Sequence, residues 1–387
     1  MHHAETIGVL LVNKSDAKAL VRRQCMHLSR SSWYGVLFVL LTLTACSSVR
    51  QTVVPTSISQ PAATPTRLPL TAVGSGIYVP AYTPPAIATN LTNPGGTSAM
   101  AFSSGPYGNA QIYLADFANK TITQLTNVRG NSFVPDWSHD GRKIIFRTDR
   151  DGKAPFTTFE DGEIYVMNAD DSNQTNLTND PANDGWPIWS PDGTRIVFAS
   201  YRDDRPNTEV YVMNTDGSGV RQLTDTLSFN NEDVAWSPHD NKIAFKSYRD
   251  GNWEIYTMNA DGSRQTWLTN SPGEDSWPNW SPDGKHIVFE TQRASPDNYD
   301  STAIYMMDSD GTSPIQVIPP GPVGSATWSP DGKEIAFYAN GDQGEGIFMA
   351  NVASGEIVKL ISGNAGDPSW RPRGPCAMKP RLIAWCI

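Results

Sequence analysis

Apolar and polar residues alternate in five short runs: Lys143-Ile144-Ile145-Phe146, Arg195-Ile196-Val197-Phe198, Lys242-Ile243-Ala244-Phe245, His286-Ile287-Val288-Phe289 and Glu334-Ile335-Ala336-Phe337. A period of two predicts a half-buried strand in each. A further strand is predicted downstream of each, at Ile164-Tyr165-Val166-Met167, Val210-Tyr211-Val212-Met213, Ile255-Tyr256-Thr257-Met258, Ile304-Tyr305-Met306-Met307 and Ile347-Phe348-Met349. Hairpins are predicted at Asp216-Gly217, Asp261-Gly262 and Asp310-Gly311, because glycine takes a positive φ without steric cost. Outer strands end the units at Gln124-Leu125-Thr126, Asn176-Leu177-Thr178, Gln222-Leu223-Thr224 and Trp267-Leu268-Thr269.

Each first-named run follows a turn of one kind. Trp137-Ser138-His139-Asp140-Gly141 is repeated as Trp189-Ser190-Pro191-Asp192-Gly193, Trp236-Ser237-Pro238-His239-Asp240, Trp280-Ser281-Pro282-Asp283-Gly284 and Trp328-Ser329-Pro330-Asp331-Gly332, with a degraded copy at Trp370-Arg371-Pro372-Arg373-Gly374. The tryptophans stand 52, 47, 44, 48 and 42 residues apart, the period of a four-stranded propeller blade. Three strands precede the first turn without an inner partner, Ala99-Met100-Ala101-Phe102, Ile112-Tyr113-Leu114 and Gln124-Leu125-Thr126, whereas the Trp370 segment is an inner strand without a blade. Joining the two closes a ring and removes exposed edges. The fold expected is an all-β, six-bladed propeller of four-stranded blades.

The Trp-Ser-Pro-Asp-Gly turn with its Ile-x-Phe and Ile-Tyr-x-Met strands resembles the TolB-type propeller repeat, over residues 96–374. The resemblance does not reach the N-terminal domain that TolB itself carries. Here residues 33–44 form an apolar run of twelve, short of the roughly 20 needed to span a membrane. With Arg30 before it and Leu43-Thr44-Ala45-Cys46 after it, the run reads as a signal peptide ending in a lipobox, with Cys46 the lipidated residue; a plain secretory signal is the alternative. The organisation expected is a leader over 1–45 with Met26 a possible true start, a lipid-anchored Pro/Thr/Ser-rich linker over 46–95, the propeller over 96–374 and a tail over 375–387.

Glycine, proline and aromatic residues (31, 29 and 38) suit strands and turns better than a helical bundle. The net charge of -10 is unevenly spread: residues 1–95 carry seven basic and two acidic residues, leaving a net of -15 beyond. Such a body repels phosphate backbones, which argues against nucleic acid. An exported monomer facing the periplasm or the cell exterior is expected, membrane-bound by its N-terminal lipid only, with an envelope protein, peptide or glycan as partner.

In a propeller, loops before the inner strand and between the second and third strands share one face, where ligands usually meet side chains from all blades. Counting back from each tryptophan gives Asn131; Asn183, Asp184 and Trp186; Glu232 and Asp233; Glu274, Asp275 and Trp277; then Asn364 and Asp367. Arg150, Arg202, Arg249 and Arg293 come from the other loops. These charges read either as ion pairs between blades that only fix the ring or as a polar mouth for a peptide, glycan or cation. Calcium is the one cofactor suggested, with Asp184, Asp233 and Asp275 as ligands. Trp186 and Trp277 precede prolines at matching positions and could stack on a sugar or peptide, or pack between blades.

The turn aspartates Asp140, Asp192, Asp283 and Asp331 recur with the turn, which assigns them to chain reversal, not chemistry. No histidine of the body falls on the mouth, and no nucleophile elbow occurs. Binding without catalysis is therefore the leading expectation. The alternative is a carbohydrate-active enzyme, a polysaccharide lyase or glycoside hydrolase, because similar propellers occur among lyases of acidic pectic oligosaccharides that use histidines and a metal. Cys376 and Cys386 read as a disulfide in an exported chain. Residues 381–385 resemble one more second strand that could compete with Ala99-Phe102.

Overall fold

The computed structural model describes residues 85–88, 99–106, 108–152, 161–202, 207–226, 229–294, 296 and 301–373. The leader, Cys46, Cys376, Cys386 and residues 381–385 lie outside the described residues, so the expectations attached to them are not addressed by the fold.

Six antiparallel sheets form the blades, and no helix occurs among the described residues. Blades two to six follow the repeat in order, each beginning with an inner strand: Ser132–Trp137, Asp184–Trp189, Asn231–Trp236, Asp275–Trp280 and Val323–Trp328. The last inner strand, Ala365–Trp370, pairs with Ala99–Ser104, Met100 opposite Trp370, and completes blade one. The six-bladed, C-terminally closed ring expected from the repeat is thus the fold.

The alternating runs form strands because each places one ring in the layer between blades. Phe102, Phe146, Phe198, Phe245, Phe289 and Phe337 occupy equivalent positions in the second strands and are all fully buried. In every blade this ring lies opposite an aromatic of the third strand, with centroids 5.7 to 6.2 Å apart. Burial of one such side chain contributes about 1.5–3 kcal/mol, and the aromatic pairing somewhat more. The motif tryptophans complete these layers: Trp236 and Phe245 of blade four pack with Val197, Val210 and Val212 of blade three.

The turn aspartates act on their own backbone. Ser138 Oγ donates to Asp140 Oδ1 at 2.7 Å, the Arg142 amide donates to the same oxygen, and the bond recurs at Ser190–Asp192, Ser281–Asp283 and Ser329–Asp331. The glycine that follows is left-handed in each, and in blade four Asn241 takes that conformation.

The outer strands of blades two to four shrink to two residues, Thr175–Asn176, Arg221–Gln222 and Thr266–Trp267. Beyond them a side chain replaces the ladder. Thr178, Thr224 and Thr269 each accept from the first amide of the next-inner apolar run and donate to a glutamate, Glu163, Glu209 or Glu254. Within the stretch read as linker, Ala86–Ile87 forms a fifth strand on the outer edge of blade six, with Ile87 opposite Ile361.

Candidate functional site

Every inner strand breaks its ladder at the same place. The third residue is left-handed in all six blades: Val134, Trp186, Asp233, Trp277, Ser325 and Asp367, with φ between 49° and 52°. None is glycine, so each position costs on the order of 1 kcal/mol of backbone strain, most for β-branched Val134. The register shifts at this point in every inner strand. Such a bulge re-aims side chains and lets proline follow at 135, 187, 278 and 368 without a lost ladder bond.

Residues three to five of the six inner strands enclose a central cavity of about 90 Å³. Trp186 and Trp277 stand on its wall to either side of Asp233; Asp136, Ser325 and Asp367 line it elsewhere. Asp136 is half-buried and accepts the Trp189 amide at 2.9 Å. Desolvation inside the channel nevertheless lifts its carboxyl to about 7, against the pull of that bond. Burial likewise raises Asp367, which is held by the Ser103 hydroxyl at 2.6 Å and by Ser325 at 3.2 Å.

Asp233 belongs to a buried triad. Lys246 Nζ is 2.7 Å from Asp233 and 3.2 Å from Glu232, all three almost without solvent contact. Burial alone would depress the lysine, but the two carboxylates overcome it and hold it above its ordinary value. Burial raises both acids against the pull of the lysine. Lys246 also lies 4.5 Å from the Trp253 ring.

The remaining mouth acids are committed within their own blades, not between blades. Arg202 bonds Asp184 at 2.8 Å and Ser200 at 2.9 Å while covering Phe198 and Tyr211. Arg293 bonds Asp275 at 3.0 Å and Thr291, over Phe289 and Tyr305. Arg249 binds Asn231, Ser247 and Gln265 over Tyr256. Asn183 accepts from Arg147 and from the Gly162 amide, and Glu274 is half-buried at the mouth, its carbonyl accepting from Gln292. Burial raises Asp184 and Asp275, with the arginines opposing.

Asp184, Asp233 and Asp275 therefore sit on three separate blades, each with its own cation, and do not converge. Among the described residues no three His, Cys, Asp or Glu form a group able to hold a metal. The residues present do not fit the calcium ion considered from the sequence. The three described histidines belong to the opposite face, where His239 meets the Pro282 carbonyl and His286 meets Asp308.

The sequence count missed Asp136, Lys246, Arg147 and Glu290, the last of which accepts the amide of Ser325 on the channel wall. Asp136 sits one residue before its tryptophan. The other three directly follow the strand phenylalanine, where a charge in a buried strand was the available signal.

Fold and channel together define a closed six-bladed propeller with an acidic, aromatic-lined axis. Residues 155–234 and 219–302 match the model of the TolB beta propeller domain, so the blades in this stretch are similar to TolB-type propeller repeats. Its sequence is 29% identical over 161 residues to the Tol-Pal system protein TolB of Francisella tularensis subsp. mediasiatica, covering 41% of this chain and 35% of that protein. The match thus spans about a third of the curated relative's length. In structure the chain is similar to TolB from Acinetobacter baumannii (TM-score 0.60, 19% identity, 72% of this chain and 67% of that one). It is also similar to Kuenenia stuttgartiensis hydrazine synthase (TM-score 0.57, 19% identity, 70% of this chain and 46% of that one). At these identities the likeness shows a shared fold, and a fold does not carry function with it.

Proposed function

We propose that the chain is a non-enzymatic lipoprotein of the cell envelope, anchored through Cys46, whose propeller binds an envelope protein at the channel mouth. The observation that carries this reading is the strained, six-blade ring that places Trp186 and Trp277 on the wall of a central cavity formed by the inner strands. Strained positions kept at a concave site mark a candidate recognition surface. The match to a Tol-Pal system protein supports an envelope setting. The acids and arginines of the outer mouth serve the blades themselves, so recognition falls to the channel wall.

The test is in-cell photocrosslinking from the full-length chain, with a benzophenone amino acid at Trp186 or at Asn364 on the mouth and at Gly193 on the far face. A discrete crosslinked protein from mouth positions alone supports the reading. Equal crosslinking from both faces, or polysaccharide turnover by the pure protein that is lost in mouth variants, overturns it. Lipid labelling that persists in Cys46→Ala removes the anchor from the proposal.

A further inference from the structure

The channel wall has a chemistry of its own. Three consecutive blades contribute indole, carboxylate and indole, through Trp186, Asp233 and Trp277, and the far wall adds Asp136 and Asp367. Three carboxylates thus line the cavity, and behind Asp233 stand Glu232 and Lys246, the one ammonium paired with both. Asp233 is 3% exposed, and its Oδ1 has no hydrogen-bond partner of normal geometry. Lys246 already meets this carboxylate at 2.7 Å, and two acids against one ammonium leave the buried triad with an excess of acid beside the cavity.

We infer that the channel is a receptor for an organic cation: the ammonium or guanidinium head of a lysine or arginine side chain carried by the partner, held between the two indoles and the wall carboxylates. This rests on the binding function proposed above and names what is recognised. Indole faces attract weakly hydrated cations and supply no donor oxygen, which suits an alkylammonium or guanidinium and not a hard divalent ion. The cavity has room for about three waters, the scale of such a head group. The carboxylates are already fixed: Asp367 by Ser103 and Ser325, Asp136 by the Trp189 amide, Asp233 by Lys246. A cation entering this site meets acceptors that need no reordering, which favours affinity.

The test is calorimetric titration of the purified full-length chain with N-acetyl-arginine amide, N-acetyl-lysine amide, the neutral isostere N-acetyl-norleucine amide, and calcium chloride. Binding of the two cationic probes but not norleucine is expected, weakened about ten-fold in Asp367→Asn and again in Trp186→Leu with Trp277→Leu. Asp367→Asn is nearly isosteric and keeps the experiment decisive if the double tryptophan variant misfolds. Equal binding of norleucine, binding of calcium alone, or unchanged affinity in Asp367→Asn would overturn the inference. If a mouth crosslink to a partner survives while the arginine probe fails to bind, the mouth remains a binding face and only the cation inference falls.

Discussion

Replacing Asp136 by asparagine isolates one channel carboxyl with little change of shape, since Asn Oδ1 can still accept the Trp189 amide now bonded at 2.9 Å. The folded carboxyl titrates near 7, against about 3.9 in an unfolded chain. Between those values the native state holds a proton that the unfolded state has lost. Stability contributed by this group is therefore complete below about pH 4 and is lost as pH rises toward about 7. Three pH units at about 1.4 kcal/mol each give an upper bound of roughly 4 kcal/mol. The group is partly exposed along a channel open to water, and about 2 kcal/mol is the realistic share. Urea unfolding of both proteins at half-unit steps from pH 4.5 to 7.5 reads the difference directly. The variant gains on the parent as pH rises, by about 2 kcal/mol across the range, while Glu254, also raised to about 7 by burial, leaves a shared residual slope. Parallel curves, or a variant that loses ground with rising pH, would refute the reasoning.

Three further outcomes are expected. Lys246→Met leaves Glu232 and Asp233 buried without their cation and costs about 3–5 kcal/mol in chemical denaturation, much of it recovered when Glu232→Gln and Asp233→Asn are added. Arg202→Lys loses the fork that joins Asp184 to Ser200 and its cover over Phe198, and lowers stability by about 1–3 kcal/mol. Gly193→Ala meets no atom within 4 Å and costs about 1 kcal/mol of backbone strain, whereas the new Cβ in Gly217→Ala falls 2.3 Å from the Leu177 carbonyl oxygen, so its melting temperature drops several-fold further.

The repeat was readable because a blade needs the same residues each time: the tryptophan that seals the layer, the serine and aspartate that bind the turn, the phenylalanine between sheets. Closure followed from counting three strands between Ala99 and Trp137 that lack an inner partner, and an inner strand at Trp370 that lacks a blade. The Leu-Thr endings were seen only as strands, although Glu163, Glu209 and Glu254 repeat at a fixed distance from Thr178, Thr224 and Thr269 and are hydrogen-bonded to them. The channel was less legible because its key property is conformational. Val134, Trp186, Asp233, Trp277, Ser325 and Asp367 share a left-handed backbone but no side-chain chemistry, so nothing in their identities marks them as equivalent. The mouth arginines were placed on the right face, yet pairing within the blade is decided by stacking on the Phe–Tyr pair, which spacing does not reveal.

Closure of the ring also sets a timetable. Ser104 and Asn364 are joined by a hydrogen bond across 260 residues of sequence, and the three strands that open the propeller have no inner neighbour until nearly the whole chain has been made. Loop-closure entropy grows only slowly with length, but it must be met before the last contacts form. A chain cut short even at Asn364 keeps five finished blades and leaves the inner edge of Ala99–Ser104 unpaired. The molecule is therefore committed late: synthesis must run almost to the last inner strand before any copy is safe from pairing with another.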